Sequence, residues 1–188
     1  MEVLTQTEVR EHQNEIIEKI QNGALFIYPT DTIYGIGCNA QDEQAVAKIR
    51  ELKGRFDQPF SVIVPSIDWI RENCVITKKT ESWLQKLPGP FTLILKLKNE
   101  SAVAQNVAPD MKTIGVRFIN HWFMNIINKC DVPIITTSAN KSGEFFMTSI
   151  KNLDKDIENN VDFIIYEGEN KGSPSKIVNV EKVEVMER

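Results

Sequence analysis

The stretch LFIYPTDTIYGIGCNA, residues 25–40, contains the change in polarity on which the fold prediction rests. Its first four residues, Leu25 to Tyr28, are apolar or aromatic and favour a buried β-strand. Pro29 ends this run, and threonine, aspartate and glycine residues follow it. A strand that continues directly into hydroxyls and a carboxylate predicts a site for a polar ligand at the strand's end.

Predicted helices alternate with apolar strands along the rest of the chain. One helix is expected from Thr7, as its N-cap, to Gly23, and another from Asp42, as its N-cap, to KGR at 53–55. Shorter helices are expected around Trp69, at 79–87, in WFMNIINKC (122–130) and between Thr148 and Asn159, and further strands are FSVIV (60–64), FTLILKL (91–97), TIGVRF (113–118), VPIITT (132–137), VDFIIY (161–166), KIVNV (176–180) and KVEVM (182–186). Strands that are apolar throughout need cover on both faces, so the pattern predicts an α/β fold with a twisted mixed sheet flanked by helices.

The size and composition fit one globular domain spanning residues 1–188. Of the 188 residues, 41% are hydrophobic and 26% are charged, which is enough to build a buried core. No apolar run reaches the roughly 18 residues that a membrane span requires. The N-terminal sequence is too polar for a signal peptide. We therefore expect a cytoplasmic protein with no membrane partner.

Cysteine, histidine and net charge exclude several classes of function. Cys38, Cys74 and Cys130 form no CxxC pair, and His12 and His121 belong to no metal-binding motif, so no resident metal is predicted. The net charge of −4 argues against nucleic-acid binding by bulk electrostatics. A local basic groove on the surface stays open as an alternative.

Three polar clusters follow or precede apolar strands, at positions where open α/β sheets bind ligands. They are PTDT (29–32), TTSANKSG (136–143) and GSPSK (172–176). Hydroxyls, amides and backbone N–H groups in such loops can surround a phosphate or a carboxylate. The same residue types are common in ordinary turns, so composition leaves both interpretations open.

Three cations accompany these clusters. Lys53 and Arg55 flank a glycine at a predicted helix C-terminus, where they could bind an anion or simply complement the helix dipole. Arg117 lies within an apolar strand and therefore needs an anionic partner from the protein or a ligand. The chain has no GxxxxGK[ST] loop, no complete dinucleotide fingerprint and no clear nucleophile. This set of side chains suits catalysis by positioning and charge neutralisation.

The motifs YPTDTIYGIG, KGR, PGPFTLIL, TIGVRF, PIITTSANKSG and PSKIVNV resemble, in order and spacing, those of the YrdC-like threonylcarbamoyl-adenylate synthases in their short, single-domain form. The resemblance implies that ATP, bicarbonate and L-threonine are condensed into threonylcarbamoyl-adenylate and pyrophosphate, with Mg²⁺ carried by ATP and no permanently bound cofactor. A partner threonylcarbamoyl transferase would then modify adenosine in tRNA.

The resemblance also implies roles for individual residues. Lys53, Arg55, Ser138 and Asn140 match the catalytic signature. Nucleotide-binding positions are Lys53, Thr113, Ser138, Asn140, Thr148 and Arg188, and substrate-binding positions are Thr30, Arg117, Thr136 and Ser175. The chain departs from the family pattern at Phe56, Asn120 and Lys176.

Two alternatives to this synthase remain at the level of sequence. The first is a non-catalytic module that binds double-stranded RNA or tRNA, against which the acidic net charge argues. The second is a carbamoyl-transfer relative of the kind found in hydrogenase maturation. Dependence on threonine separates this second alternative from a synthase.

Overall fold

The computed structural model describes residues 2–110 and 112–186. The helices are α1 (Gln6–Glu11), α2 (Gln13–Gln21), α3 (Glu43–Lys53), α4 (Ile67–Asn73), α5 (Lys78–Leu84), α6 (Met124–Cys130) and α7 (Lys155–Asn160). The strands are β1 (Glu2–Leu4), β2 (Phe26–Tyr28), β3 (Gly35–Gly37), β4 (Ser61–Ile63), β5 (Phe91–Lys96), β6 (Thr113–Arg117), β7 (Ile134–Ser138), β8 (Phe163–Ile165), β9 (Lys176–Asn179) and β10 (Glu184–Met186). Short 3₁₀ turns occupy Glu100–Ala102, Gln105–Val107 and Ile150–Asn152.

These strands form one ten-stranded sheet in the order β1-β8-β2-β3-β7-β4-β6-β5-β9-β10. Parallel pairs such as β4 with β6 and antiparallel pairs such as β4 with β7 both occur, so the predicted mixed sheet is confirmed. Helices cover both faces because the strands are apolar on both. In β2, Ile27 belongs to the core on one face, whereas Phe26 and Tyr28 belong to the core on the other.

The N-terminal region differs from the prediction of a single helix capped by Thr7. Thr5 is the N-cap of α1, where its hydroxyl and the Glu8 carboxylate form a capping box. The helix breaks at His12, which separates α1 from α2. The preceding residues form β1, which pairs in parallel with β8 and was not predicted because so short a strand has little periodic signal.

The glycines of GIG at 35–37 make room for an aromatic ring. A Cβ on Gly35 would lie 3.2 Å from the ring of Tyr28, and one on Gly37 would lie 2.9 Å from it. The ring of Tyr28 lies over both glycines, and its hydroxyl donates 3.0 Å to the carbonyl of Ile135 on β7. These glycines therefore serve packing of β2 across β3 onto β7 rather than a phosphate loop.

Within the described residues, no helix is long and apolar enough to cross a membrane. In that same part of the chain, no three histidine, cysteine or acidic side chains converge on a point where they could share a metal ion.

Helix α3 begins at the predicted N-cap, Asp42, whose carboxylate accepts from the backbone N–H groups of Gln44 and Ala45. We expect Asp42→Ala to lower the free energy of unfolding by about 1 kcal/mol, because two N–H groups lose their acceptor. Asp42→Asn keeps an acceptor oxygen and should cost much less. Urea denaturation of both variants checks this; equal losses would show that the cap bond is not what Asp42 contributes.

Candidate active site

The site is a polar cavity of about 100 Å³ next to the loop that joins β2 to β3. One water needs roughly 10–15 Å³ on this scale, so the cavity has room for a small polar molecule. Its lining is rich in hydroxyls: Thr30, Thr32, Tyr34, Ser61, Thr92, Thr136, Thr137, Ser138 and Ser175, together with Ile33, Gly35, Arg117, Phe146 and Pro174. The cavity therefore offers many neutral hydrogen-bonding groups and one guanidinium.

Strand register places small residues side by side beneath this cavity. Ser61 on β4 lies opposite Gly115 on β6 and Thr136 on β7. A Cβ at Gly115 would lie only 2.4 Å from the Ser61 hydroxyl. Farther along β4 and β7 on the same face, Ile63 and Ile134 are part of the apolar core. The cavity thus exists because small residues replace large ones on this part of the face.

Arg117 at the end of β6 is buried, and its anionic partner is Asp31. Its Nη2 lies 2.6 Å from Asp31 Oδ1 and 3.2 Å from the Thr32 hydroxyl. The other Asp31 oxygen accepts from the backbone N–H of Asn120 at 3.1 Å. Sequence reasoning left open whether protein or ligand would balance Arg117, and it gave Asp31 no such role.

A directed chain of hydrogen bonds runs from Arg117 into the β2–β3 loop. Thr30 donates its single hydroxyl proton to the carbonyl of Ile33 at 2.7 Å. Toward the Thr32 hydroxyl, 2.9 Å away, Thr30 must therefore act as acceptor, which makes Thr32 the donor. Thr32 in turn accepts from Arg117. Thr30 thus braces the loop while it lines the cavity.

Lys53 ends α3 and contacts the segment after β7. Its Nζ lies 2.6 Å from the carbonyl oxygen of Ser138 and 2.5 Å from that of Asn140, with the Asn140 side-chain oxygen at 3.3 Å. The Ser138 hydroxyl donates to the same side-chain oxygen at 2.5 Å. Three of the four predicted catalytic residues are therefore in direct contact, and Ser138 connects them to the cavity.

Arg55, the fourth, follows Gly54, which ends α3 in a left-handed conformation with φ of 61°. Its Nη2 donates to the carbonyl of Pro59 at 2.6 Å, and its guanidinium lies 5.1 Å from the centre of the Phe60 ring. Arg55 is therefore held by contacts within the loop after α3, and it is not part of the cavity lining.

Arg50 organises this loop and was missed by sequence reasoning. Buried on α3, it donates to the carbonyls of Arg55, Phe56, Gln58, Asn106 and Val107. The position of Arg50 in the sequence could have indicated its burial, because helical spacing places it on the same face as Val46, Ile49 and Lys53. A cation at an apolar helical position indicates buried acceptors, and here those acceptors are carbonyls of the loop after α3 and of the 3₁₀ turn at 105–107.

The other predicted residues are distributed unevenly. Ser175 and Thr136 line the cavity, and the Ser175 hydroxyl is 2.7 Å from that of Thr92. Thr113 at the start of β6 and Thr148 are not part of the lining. Thr148 instead accepts from the backbone N–H of Asn170 at 2.8 Å. Arg188 lies outside the described residues.

Tyr34 is a second residue that sequence reasoning missed. It lines the cavity, donates to the carbonyl of Gly168 at 2.8 Å and accepts from the backbone N–H of Glu167 at 3.1 Å. Burial raises its pKa to about 12, so it acts as a neutral hydroxyl. Its partners Glu167 and Gly168 lie more than 130 residues away along the chain, so no local pattern indicated this contact.

Fold and cavity together define an α/β protein with an anion-compatible site on one sheet face, and comparison assigns its family. Residues 18–188 match the model of the Sua5/YciO/YrdC family, described as "Telomere recombination". The chain belongs to this family, which confirms the resemblance found in the sequence.

Two relatives and two solved structures illustrate the match. A putative threonylcarbamoyl-AMP synthase of Methanocaldococcus jannaschii is 36% identical over 178 residues, 93% of this chain and 83% of the relative. The threonylcarbamoyl-AMP synthase of Pyrococcus abyssi is 33% identical over 169 residues, covering 86% of this chain and 48% of the relative.

The structure of P. abyssi Sua5 complexed with L-threonine has a TM-score of 0.82 at 28% identity, over 95% of this chain and 53% of that one. The chain therefore spans about half the length of these P. abyssi proteins. YciO of E. coli, with a TM-score of 0.81 at 21% identity over 95% of this chain and 88% of its own, shows the same fold.

Lys53 provides a test of the site's electrostatics without any ligand. Burial, with a smaller contribution from the charge of Arg55, lowers its pKa from 10.5 to about 7. Above pH 7 the folded protein releases this proton while the unfolded chain retains it, up to roughly pH 10. The unfolded state then holds more protons, so stability should rise with pH across this window.

We expect the difference in free energy of unfolding, wild type minus Lys53→Met, to increase as the pH rises from about 7 to about 9. Urea denaturation at several pH values measures both. Subtracting the variant removes the contributions of other groups. Parallel curves would contradict a depressed pKa at Lys53.

Proposed function

We propose that this chain is an L-threonylcarbamoyladenylate synthase, which converts L-threonine, bicarbonate and ATP into threonylcarbamoyl-AMP and pyrophosphate. The observation that carries the proposal is that Ser138 joins two sites. Ser138 lines the hydroxyl-rich cavity that Arg117 also lines, and its carbonyl accepts from Lys53. An amino acid in the cavity would therefore lie next to the cationic group that can bind phosphates. The names of the relatives support the same activity.

Threonine occupies the cavity in this proposal. Its carboxylate pairs with the guanidinium of Arg117, and its ammonium and hydroxyl groups bind the neutral oxygens of Thr30, Thr136 and Ser175. Bicarbonate and the threonine amine form N-carboxythreonine with loss of water. Confinement of these groups in a small polar cavity replaces encounters in solution and favours this step.

ATP binds beside Lys53, Arg55, Ser138 and Asn140, and Thr113, Thr148 and Arg188 are further nucleotide-binding positions. The carboxylate of N-carboxythreonine attacks the α-phosphorus, and the bond from that phosphorus to the pyrophosphate oxygen breaks. Mg²⁺ enters with ATP as part of the substrate and neutralises the departing pyrophosphate. Because the triphosphate is anionic, it favours the ammonium form of Lys53, and binding should take up a proton.

The product would pass to a threonylcarbamoyl transferase that modifies tRNA, and we propose that residues 1–188 act as one domain in the cytoplasm. Binding of tRNA or double-stranded RNA without catalysis is the alternative. The net charge of −4 disfavours it, because phosphate contacts provide most non-specific affinity for nucleic acids.

The decisive test is pyrophosphate release by the purified protein with ATP and Mg²⁺. We expect release to require both L-threonine and bicarbonate, and serine to support much less. Release without threonine would indicate a different acceptor. Retention of ATP and tRNA with no release under any condition would favour the binding module.

Arg117 and Lys53 should separate threonine binding from adenylation. Arg117→Lys keeps a cation for Asp31 but loses the planar fork, so we expect the KM for threonine to rise roughly tenfold or more while the KM for ATP changes little. Lys53→Met should mainly lower kcat and raise the KM for ATP.

Steady-state kinetics with each substrate varied in turn distinguish these effects. Arg10→Lys, at an exposed position of helix α1, is a matched control for the arginine replacement and should leave all constants unchanged. Equal shifts in both KM values for both site variants would contradict this division of roles.

A further inference from the structure

The segment between β8 and β9, residues 166–175, is irregular and passes directly over the cavity loop. Its last two residues, Pro174 and Ser175, line the cavity. At Gly172 the approach is so close that a Cβ would lie 2.0 Å from the carbonyl oxygen of Thr32. The position of this segment therefore determines part of the cavity wall, although residues 166–175 contain no helix or strand of their own.

Glu167 attaches the beginning of this segment to the turn before α6. One carboxylate oxygen lies 3.0 Å from His121 Nε2, and the other accepts from the indole N–H of Trp122 at 2.7 Å. The backbone N–H of Phe123 donates to His121 Nδ1 at 3.3 Å. With Nδ1 as the acceptor of this bond, Nε2 is the nitrogen that donates to Glu167.

The main chain of Glu167 contacts the cavity as well. Its N–H donates to the hydroxyl of Tyr34, which lines the cavity and donates in turn to Gly168. The rings of Tyr34 and Tyr166 stack with centroids 5.8 Å apart. Glu167 therefore bonds through its side chain to the turn before α6 and through its backbone to the cavity wall.

The turn that receives Glu167 also supports Arg117. Asn120, next to His121, donates its backbone N–H to Asp31, and Asp31 pairs with Arg117. Residues 120–122 thus contact both Asp31 of the ion pair and Glu167 of the 166–175 segment. The β2–β3 loop and the 166–175 segment, which are distant in sequence, are thus both bonded to this turn.

We propose that Glu167 is a positioning residue for the amino-acid substrate: it fixes the 166–175 segment so that Tyr34, Pro174 and Ser175 keep the cavity closed around threonine. This inference rests on the proposed function. A contribution to stability alone does not account for the arrangement, because the backbone N–H of the same residue donates to Tyr34, which lines the cavity.

The test compares Glu167→Gln with a control on the same segment, Glu169→Gln. Glu169 is exposed and pairs with Lys171 at 3.3 Å, so it shares the sequence context without the anchor. In Glu167→Gln an amide N–H₂ faces one of the two donors. We expect threonine affinity, measured by calorimetry, to fall roughly five- to twentyfold because the wall is misplaced. ATP affinity and the urea midpoint should stay close to the wild type, and Glu169→Gln should change nothing.

Trp122→Phe is a second variant that keeps the ring and removes one bond to the carboxylate. It should weaken threonine binding in the same direction by a smaller factor. Combined with Glu167→Gln, it should produce less than the product of the two single factors, because both changes act on one contact.

Unchanged threonine affinity in both variants, or equal losses for threonine and ATP, would overturn the proposal. The proposed function fails separately, by absence of threonine-dependent pyrophosphate release from the wild type. Calorimetry reads threonine binding whether or not turnover occurs. A wild type that does not bind threonine at all would overturn both.

Discussion

The buried ion pair between Arg117 and Asp31 is the constraint on which the candidate site depends. Arg117 ends a central strand, and its side chain is only 6% exposed. A guanidinium there would be very costly without a partner, and removal of one member of such a pair typically costs about 3–5 kcal/mol. Asp31 can meet it only if the chain turns sharply after β2. The hydroxyls of Thr30 and Thr32 brace that turn, so the ion pair and the cavity wall form together.

The ion pair also changes how Arg117 would act on a substrate. One terminal nitrogen is already directed at Asp31 and Thr32, which fixes the plane of the guanidinium before any ligand arrives. A fixed cation loses little freedom when a carboxylate binds, and preorganisation of this kind lowers the cost of recognition. Asp31 reduces the local positive charge, but it also fixes the orientation of the Arg117 guanidinium.

The second cationic region, Arg50 and Lys53 on α3, has no carboxylate among its hydrogen-bond acceptors in the described part of the chain. Lys53 and Arg50 donate to carbonyl oxygens, which satisfy buried N–H groups without cancelling their positive charge. Among residues 2–110 and 112–186, no carboxylate contacts Lys53 to offset the cost of burying its ammonium group, and its pKa is therefore depressed. An anionic ligand would stabilise the ammonium form. Lys53 thus has neutral carbonyls as partners, whereas Arg117 has a carboxylate, and Ser138 contacts the first cation and lines the same cavity as the second.

The sequence by itself determined the α/β class, the mixed sheet, the Asp42 cap and the polar segments that meet at the cavity, because apolar runs, caps and turn residues act over a few neighbouring positions. It also indicated that Arg117 required an anion. Only the tertiary structure decided that Asp31 is that anion, that Arg50 holds the Lys53 loop, and that Tyr34 and Glu167 anchor the 166–175 segment. It also separated Thr113 and Thr148 from the cavity lining. Apart from the bonds of Arg50 to its own loop, these contacts join residues far apart in the chain. Strand order and register select their partners, and local propensity does not encode either.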